Sequence, residues 1–433
     1  AVPDTVPFRS EEGIPLLPGP KIPKLAAHKP NQTPRVRRSL PCHPRSPYKY
    51  PSLPPPILHL QHRPTNRATR KSRASRSHSD TERSIQEPDT PNNTTPPTTY
   101  MARWAIAIHG GAGVDPNLPE HRQEEAKRVL ARCLQVGVDL LRAGATALDV
   151  VEAVVRELET DPCFNSGRGS ALTRAGTVEM EASIMDGRGR RCGAVSGVST
   201  VKNPVSLARR VMDKSPHSYL AFDGAEDFAR EQGLEVVDNS YFITEENIGM
   251  LKLAKEANSI LFDYRIPLAG ADTCSALAAA TENLNSNGMV MNGLPISIYA
   301  PETVGCAVVD SDGFTAAATS TGGLMNKMTG RIGDSPLIGA GTYACGHCAV
   351  SCTGEGEAII RSTLARDVAA VMEYKGLPLQ EAVDFCVKER LDEGFAGLIA
   401  VSGTGEVAYG FNCTGMFRGC ATEDGFMEVG IWE

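Results

Sequence analysis

The sequence predicts an α+β protein in which helices cover two stacked sheets. Short, nearly all-apolar runs of the kind that form strands buried on both faces alternate with longer segments whose apolar residues recur at helical spacing. Gly, Asp and Asn turn formers bound most of these runs. No internal repeat is visible, which excludes solenoids and propellers.

This pattern covers residues 101–433, read as a single domain. Residues 1–100 hold 20 of the 30 prolines and 16 Lys/Arg against seven Asp/Glu, with no sustained apolar periodicity. Such a segment cannot bury enough apolar surface to offset its chain entropy, so it reads as a disordered Pro/Arg-rich extension outside the mature protein. Met101, directly before the first strand, reads as the natural start. The Arg- and Ser-rich stretch 63–79 leaves a plastid transit segment as the alternative to a cytoplasmic location. The formal net charge is −7 overall, and the extension is basic, so the body is strongly acidic and a poor partner for nucleic acid. The extension lacks interleaved aromatics and an amphipathic face. No apolar run approaches the roughly 18 residues a membrane span needs, and no secretory signal is present. The 12 cysteines are therefore expected as reduced thiols. Cys345-Gly-His-Cys348 has the spacing of a disulfide-exchange motif, but it does not follow a strand and open a helix, and no second cluster completes a zinc site.

In order, residues 104–109 form the first buried strand, which Gly110-Gly111-Ala-Gly113 ends in a tight turn. Apolar stripes predict helices over 120–142 and 146–158, broken at Gly144. Turn formers throughout 158–170 make that segment a loop. Alternation then predicts antiparallel strands over 178–186 and 192–201, and Asn203-Pro204 opens a helix to about Met212. From 257 to 302 regularity fades, and a loop of that length suggests a functional, pliant segment. Residues 303–321 read as a β-hairpin turning at Asp310-Ser311-Asp312-Gly313. A short apolar run ends at Thr353 and passes into a helix over 358–372. A second amphipathic helix spans 379–391, and closing strands are expected at 398–401, 406–409 and 426–432.

The chemistry gathers around the hairpin. Position 312 lies midway between Thr303 and Thr321, so the two hydroxyls come together at its open end, where opposed Cβ atoms lie roughly 4.5–5.5 Å apart. A converged hydroxyl pair by itself is often only a cross-strand hydrogen bond. Here, however, Gly330-Arg331-Ile-Gly-Asp334 adds a cation and an anion three residues apart. Thr353-Gly354-Glu-Gly356-Glu357 adds exposed backbone N–H groups at a helix start, where the dipole favours negative charge. Together these groups suit a zwitterionic, amino-acid-like ligand. No Ser-His-Asp or Cys-His arrangement is evident, and the Gly-x-Ser-x-Gly elbow of α/β-hydrolases does not occur.

The segments Thr303-Val-Gly-Cys-Ala-Val, Thr319-Ser-Thr-Gly-Gly, Gly330-Arg-Ile-Gly-Asp and Thr353-Gly-Glu-Gly-Glu appear in this order after His109-Gly-Gly-Ala-Gly and Phe164-Asn165-Ser-Gly-Arg-Gly. As a set they resemble the plant-type L-asparaginase/isoaspartyl aminopeptidase family of N-terminal-nucleophile hydrolases, closest to its potassium-dependent plant members, from about Trp104 to the end. The resemblance implies a four-layer αββα sandwich and self-cleavage between Glu302 and Thr303 into an α subunit (101–302) and a β subunit (303–433). It implies that the freed Thr303 attacks L-asparagine or β-aspartyl dipeptides and that Thr321 tunes it. Thr353 and the Gly354 N–H would form the oxyanion hole, while Arg331 and Asp334 would hold the substrate α-carboxylate and α-ammonium. Gly354, Gly356 and Asn165 would complete the pocket. No organic cofactor is expected. A structural sodium would sit in the loop containing Leu158, Glu159 and Phe164, and an activating potassium in the loop containing Val211, Met212 and Ser218. The α and β chains of one precursor would assemble as a dimer of αβ units, with no nucleic-acid or membrane partner. Glu302 departs from the glycine many relatives carry before the threonine, which bears on cleavage rate. A glycosylasparaginase or taspase-like protease on the same fold, a cleavage-incompetent binding protein and a disulfide-exchange protein are the rival readings.

Overall fold

The computed structural model describes residues 103–256, 290–291, 294–295, 303–391 and 395–433. The expectations for residues 1–100, Met101, the pliant segment before Thr303 and Glu302 lie outside these residues, except for two short strands within 257–302.

The chain begins with β1 (Ala105–Ala112), followed by helices α1 (Glu120–Arg142) and α2 (Ala147–Thr160). Strands β2 (Met180–Asp186) and β3 (Arg191–Val198) lead into α3 (Pro204–Lys214), β4 (Tyr219–Ala221), α4 (Phe222–Glu231) and α5 (Glu245–Glu256). A two-strand ladder, β5 (Val290–Met291) and β6 (Leu294–Pro295), precedes the central hairpin of β7 (Val304–Val309) and β8 (Thr315–Thr321). Next come β9 (Thr342–Ala344), β10 (Cys348–Gly354), and helices α6 (Gly356–Ser362), α7 (Leu364–Lys375) and α8 (Leu379–Phe385). The last strands are β11 (Ala396–Ser402), β12 (Val407–Phe411), β13 (Met416–Thr422) and β14 (Met427–Gly430). Among the described residues, no helix is long and apolar enough to cross a membrane.

Eight strands form one sheet in the order β14-β13-β1-β7-β8-β2-β3-β4, and four form a second in the order β12-β11-β10-β9. The chain is thus α+β. Residue parity along the strands assigns each side chain to a face. Ile106 and Ile108 of β1, Cys306 and Val308 of β7, and Ala316 and Ala318 of β8 join the apolar cluster that α1, α2 and α3 complete. Their neighbours Ala105, Ala107, Ala307, Val309 and Ala317 belong to a second cluster with β9–β12, α7 and α8. Large residues therefore face the helices, and mostly alanines face the other sheet, which lets the two sheets approach closely.

Four differences from the sequence expectation have physical causes. β1 does not stop at Gly110 but continues to Ala112, because a bulge between His109 and Gly111 shifts its pairing with β13. β13 has no counterpart in the sequence reading. Arg418 and Gly419 interrupt its apolar pattern, and Arg418 is buried only because its guanidinium stacks 4.1 Å over Tyr409 and donates to the Trp432 carbonyl at 3.0 Å. The helix expected over 358–372 is two helices. Thr363 takes left-handed φ +50°, and the amides of Ala365 and Arg366 donate to Ala340 and Gly339 instead of continuing the first helix. The second amphipathic helix is α-helical only to Phe385 and finishes as a π-helical turn over Cys386–Arg390.

Candidate active site

The β7–β8 register pairs Val304 with Ser320 and Gly305 with Thr319. Thr303 and Thr321 therefore face each other, as the hairpin symmetry predicts, and Thr303 Oγ1 donates to Thr321 Oγ1 at 3.1 Å. Both threonines are buried. Thr321 Oγ1 also accepts from the Gly323 N–H at 3.0 Å, so the turn after β8 fixes this hydroxyl.

Thr303 and Thr321 open onto a small, narrow cleft. Asn165, Arg331, Asp334, Gly354 and Gly356, all singled out from sequence, line it together with Gly323 and Leu324. Asn165 clamps the turn: its Nδ2 donates to the Gly323 carbonyl at 2.7 Å and its Oδ1 accepts from the Ala171 N–H at 2.7 Å. The Arg331 fork meets Glu357, with Nε to Oε1 at 3.0 Å and Nη2 to Oε2 at 2.9 Å. The sequence reading does not pair Glu357 with Arg331; the pairing orients the guanidinium across the cleft wall. A Cβ on Gly356 would lie 2.8 Å from Arg331 Nη2 and 2.9 Å from Asp334 Oδ1, so only glycine lets both charges crowd this point.

Burial pushes the Asp334 carboxyl up to about 7, against the opposing pull of Arg331. Its Oδ2 and the Thr353 Oγ1 are buried and make no hydrogen bond among the described residues. Asp334 lines the cleft with Arg331, a carboxyl and a guanidinium that suit a zwitterion, whereas Thr353 is fully buried and lies outside the lining, one residue before Gly354. Behind the Gly322-Gly323 turn lies a buried ion pair that the sequence reading missed. Lys327 Nζ donates to the Glu179 carbonyl at 2.7 Å and stands 3.9 Å from Glu181 Oε1, and Glu181 Oε2 accepts from the Gly333 N–H at 2.9 Å. Glu181 is the cross-strand neighbour of Thr321, and that parity was the signal available in the sequence.

The residues of the expected ion loops lie elsewhere. Leu158 is a core side chain, and the Glu159 carboxylate caps α3 by accepting from the Val205 N–H at 2.9 Å. Burial lifts its pKa to about 7. Carbonyls crowd the main chain of this loop, and those of Glu159 and Phe164 accept from the Arg168 N–H at 2.8 Å and the Ser166 N–H at 3.0 Å. A Cβ on Gly167 would lie 2.1 Å from the Glu159 oxygen, and one on Gly169 would lie 2.6 Å and 2.7 Å from those of Pro162 and Phe164. A cation there would have only the second lone pairs of the Glu159 and Phe164 carbonyls. Val211 and Met212 end α3, where carbonyls carry the negative end of the helix dipole, and the Ser218 carbonyl accepts from the Ala194 N–H at 2.9 Å. Cys345 and Cys348 flank the two-residue turn between β9 and β10, both buried, and the Cys345 N–H donates to the Cys348 carbonyl at 2.8 Å. They do not open a helix.

A sequence profile of the asparaginase family matches residues 102–431. The chain is 76% identical to a probable isoaspartyl peptidase/L-asparaginase 2 of Arabidopsis thaliana over 333 residues, 77% of this chain and 100% of the relative. It is 42% identical to the isoaspartyl peptidase of Escherichia coli K12 over 73% of this chain and 92% of the relative. It is 38% identical to the human isoaspartyl peptidase/L-asparaginase over 75% of this chain and 95% of the relative.

Asn165→Ala leaves the Gly323 carbonyl and the Ala171 N–H without their buried partner. It is expected to lower stability by about 1–3 kcal/mol, measured as a shift in the denaturant midpoint at unchanged slope.

Proposed function

The chain belongs to the asparaginase family, and on that premise we propose that it hydrolyses L-asparagine to L-aspartate and ammonia, and also cleaves β-aspartyl dipeptides, with Thr303 as its N-terminal nucleophile. The observation that carries this reading is the 3.1 Å contact between the Thr303 and Thr321 hydroxyls in a cleft that also presents Arg331 and Asp334.

A threonine hydroxyl needs a base. Cleavage before Thr303 would supply one, because a free α-amine has a pKa of about 7.7–8.0 and is partly neutral near pH 7. In processing, Thr303 Oγ1 bonds to the Glu302 carbonyl carbon, the C–N bond breaks, and the hydroxyl proton passes to the departing amine. Water then resolves the ester to a free Glu302 carboxylate and restores the hydroxyl. In turnover, Oγ1 attacks the side-chain carbonyl carbon of asparagine while the α-amine takes the proton and passes it to the leaving nitrogen as ammonia departs. Water hydrolyses the β-aspartyl ester to aspartate. For a β-aspartyl dipeptide the leaving group is the amine of the second residue.

Thr321 holds the nucleophile through its hydroxyl. Thr353 Oγ1 and the Gly354 N–H would form the oxyanion hole, where losing one donor typically costs about 10²–10³ in rate. Arg331, oriented by Glu357, takes the α-carboxylate; Asp334 takes the α-ammonium, and Gly356 leaves room for both. The strands and helices are the layers of an αββα sandwich of the N-terminal-nucleophile type. The second lone pairs of the Glu159 and Phe164 carbonyls, in the loop after Leu158, would hold a sodium ion that stiffens the loop carrying Asn165. Carbonyls of Val211 and Met212 with Ser218 would hold an activating potassium. The processed chains would associate as a dimer of αβ units.

Mass spectrometry of the purified protein is expected to show two chains parting before Thr303, and one intact chain for Thr303→Ala; an uncut wild type that still releases ammonia at full rate would refute the mechanism. Because the Asp334 carboxyl sits near 7 in the free site, it is increasingly protonated below that pH and loses its charge for the ammonium. KM for asparagine should therefore rise as pH falls below about 7, read from initial rates across pH. Exchanging potassium for sodium at constant ionic strength should lower kcat/KM several-fold, and equal rates in the two salts would remove the potassium assignment.

A further inference from the structure

One buried side chain in this region has no part in the mechanism above, yet it touches the nucleophile's own backbone. His109 lies on β1 opposite Gly305 of β7 and is fully buried. Its Nδ1 is 3.0 Å from the Thr303 carbonyl oxygen and its Nε2 is 2.8 Å from Ser351 Oγ. We propose, on the reading of Thr303 as nucleophile, that His109 is a positioning residue: it hydrogen-bonds the Thr303 carbonyl from the end of a chain of buried hydroxyls and so sets where the Thr303 amine and hydroxyl point.

Chemistry fixes the direction of the bonds nearest Thr303. A carbonyl oxygen only accepts, so Nδ1 carries the proton, and in a neutral ring Nε2 must then accept. Burial holds the ring neutral, pulling its pKa down to about 3 against the opposing effect of the Thr303 carbonyl. Ser351 therefore spends its only proton on His109 and accepts from Thr319 Oγ1 at 2.7 Å. Thr319 in turn accepts from Thr342 Oγ1 at 2.5 Å, while the Ser183 hydroxyl, 2.8 Å from Thr342 Oγ1, donates to the Ser335 carbonyl at 2.6 Å. Donation runs one way from β9, through β8 and β10, to the histidine on β1 and on to Thr303, and aligned bonds of this kind strengthen one another. The sequence has made room for it. A Cβ on Gly305 would lie 2.0 Å from Ser351 Oγ and 2.4 Å from His109 Nε2, directly on their bond. The carbonyl that His109 holds is on the far side of Thr303 from the scissile bond. Cleavage would free the amino side of Thr303 but leave this anchor in place.

The test compares His109→Ala, His109→Asn and His109→Gln in the full chain by two readouts: the rate of cleavage before Thr303, followed by mass spectrometry, and kcat and KM for asparagine. An asparagine amide nitrogen can stand where Nδ1 stood; a glutamine nitrogen reaches the Nε2 position instead. His109→Ala is expected to lose about 10–100-fold in kcat, since a displacement of about 1 Å can cost 10²-fold, and to slow cleavage. KM should stay within about threefold because Arg331 and Asp334 are untouched. His109→Asn should recover most of both rates, and His109→Gln should not. Alanine within about twofold of wild type on both readouts would overturn the proposal, as would asparagine and glutamine variants that perform alike. If the alanine variant does not fold, the asparagine and glutamine pair decides alone. A wild type that cleaves itself but turns over neither asparagine nor a β-aspartyl dipeptide would defeat the functional reading instead, while the cleavage rates would still judge His109.

Discussion

The register between β7 and β8 is the constraint from which the site follows, because strand side chains alternate between faces and a slip of one residue exchanges the two sets. With Val304 opposite Ser320, Thr303, Gly305, Thr319 and Thr321 turn toward the small sheet, while Val304, Cys306 and Val308 enter the helix-side core. Shifting either strand by one residue would bury a threonine among α2 side chains and present a valine to the cleft. The hairpin turn locks the pairing: the Asp310 N–H donates to the Phe314 carbonyl at 3.0 Å, and Gly313 adopts φ +80°. Asp310 Oδ2 also accepts from the Ala147 N–H at 2.9 Å, tying the turn to the start of α2.

The space between the sheets is therefore graded. Away from the cleft it is filled by Ala105, Ala107, Ala307 and Ala317, and toward the cleft by His109, Ser183, Thr319, Thr342 and Ser351. Hydroxyls and one neutral imidazole can cross a dry interior because each finds a partner, whereas unpaired polar groups there would cost about 1–3 kcal/mol apiece. Among the described residues, charges here lie at the cleft and at Arg418, whose guanidinium stacks over Tyr409. The Lys327–Glu181 pair is fully buried, where desolvation can outweigh attraction. Its added hydrogen bonds to the Glu179 carbonyl and the Gly333 N–H compensate, and they brace the two turns that carry Gly323 and Arg331.

Much of this was legible from residue order. The hairpin, α1, α2 and the facing of Thr303 and Thr321 follow from periodicity, turn residues and midpoint symmetry, all of which are local, whereas Arg331 and Asp334 joined them through the family resemblance. What sequence did not yield depends on contacts between distant segments. His109 was part of a visible motif, but its role needs Ser351, 242 residues away. Glu357 sits at a helix start like any surface carboxylate until Arg331 meets it. β13 was hidden because an arginine in a buried strand is intelligible only once Tyr409 and the Trp432 carbonyl are seen beside it. The break at Thr363 likewise reflects amides captured by a loop some 25 residues earlier in the chain rather than any local helix breaker.

The strand order also governs what a backbone break before Thr303 would leave behind. In the large sheet β14 and β13 come from the later part of the chain, β1 from the earlier part, β7 and β8 again from the later, and β2, β3 and β4 from the earlier. The two polypeptides would be interleaved like the fingers of folded hands, meeting along three separate strand seams. Pulling them apart would mean dismantling the large sheet, so dissociation and denaturation become one event, and neither piece holds that eight-stranded sheet by itself.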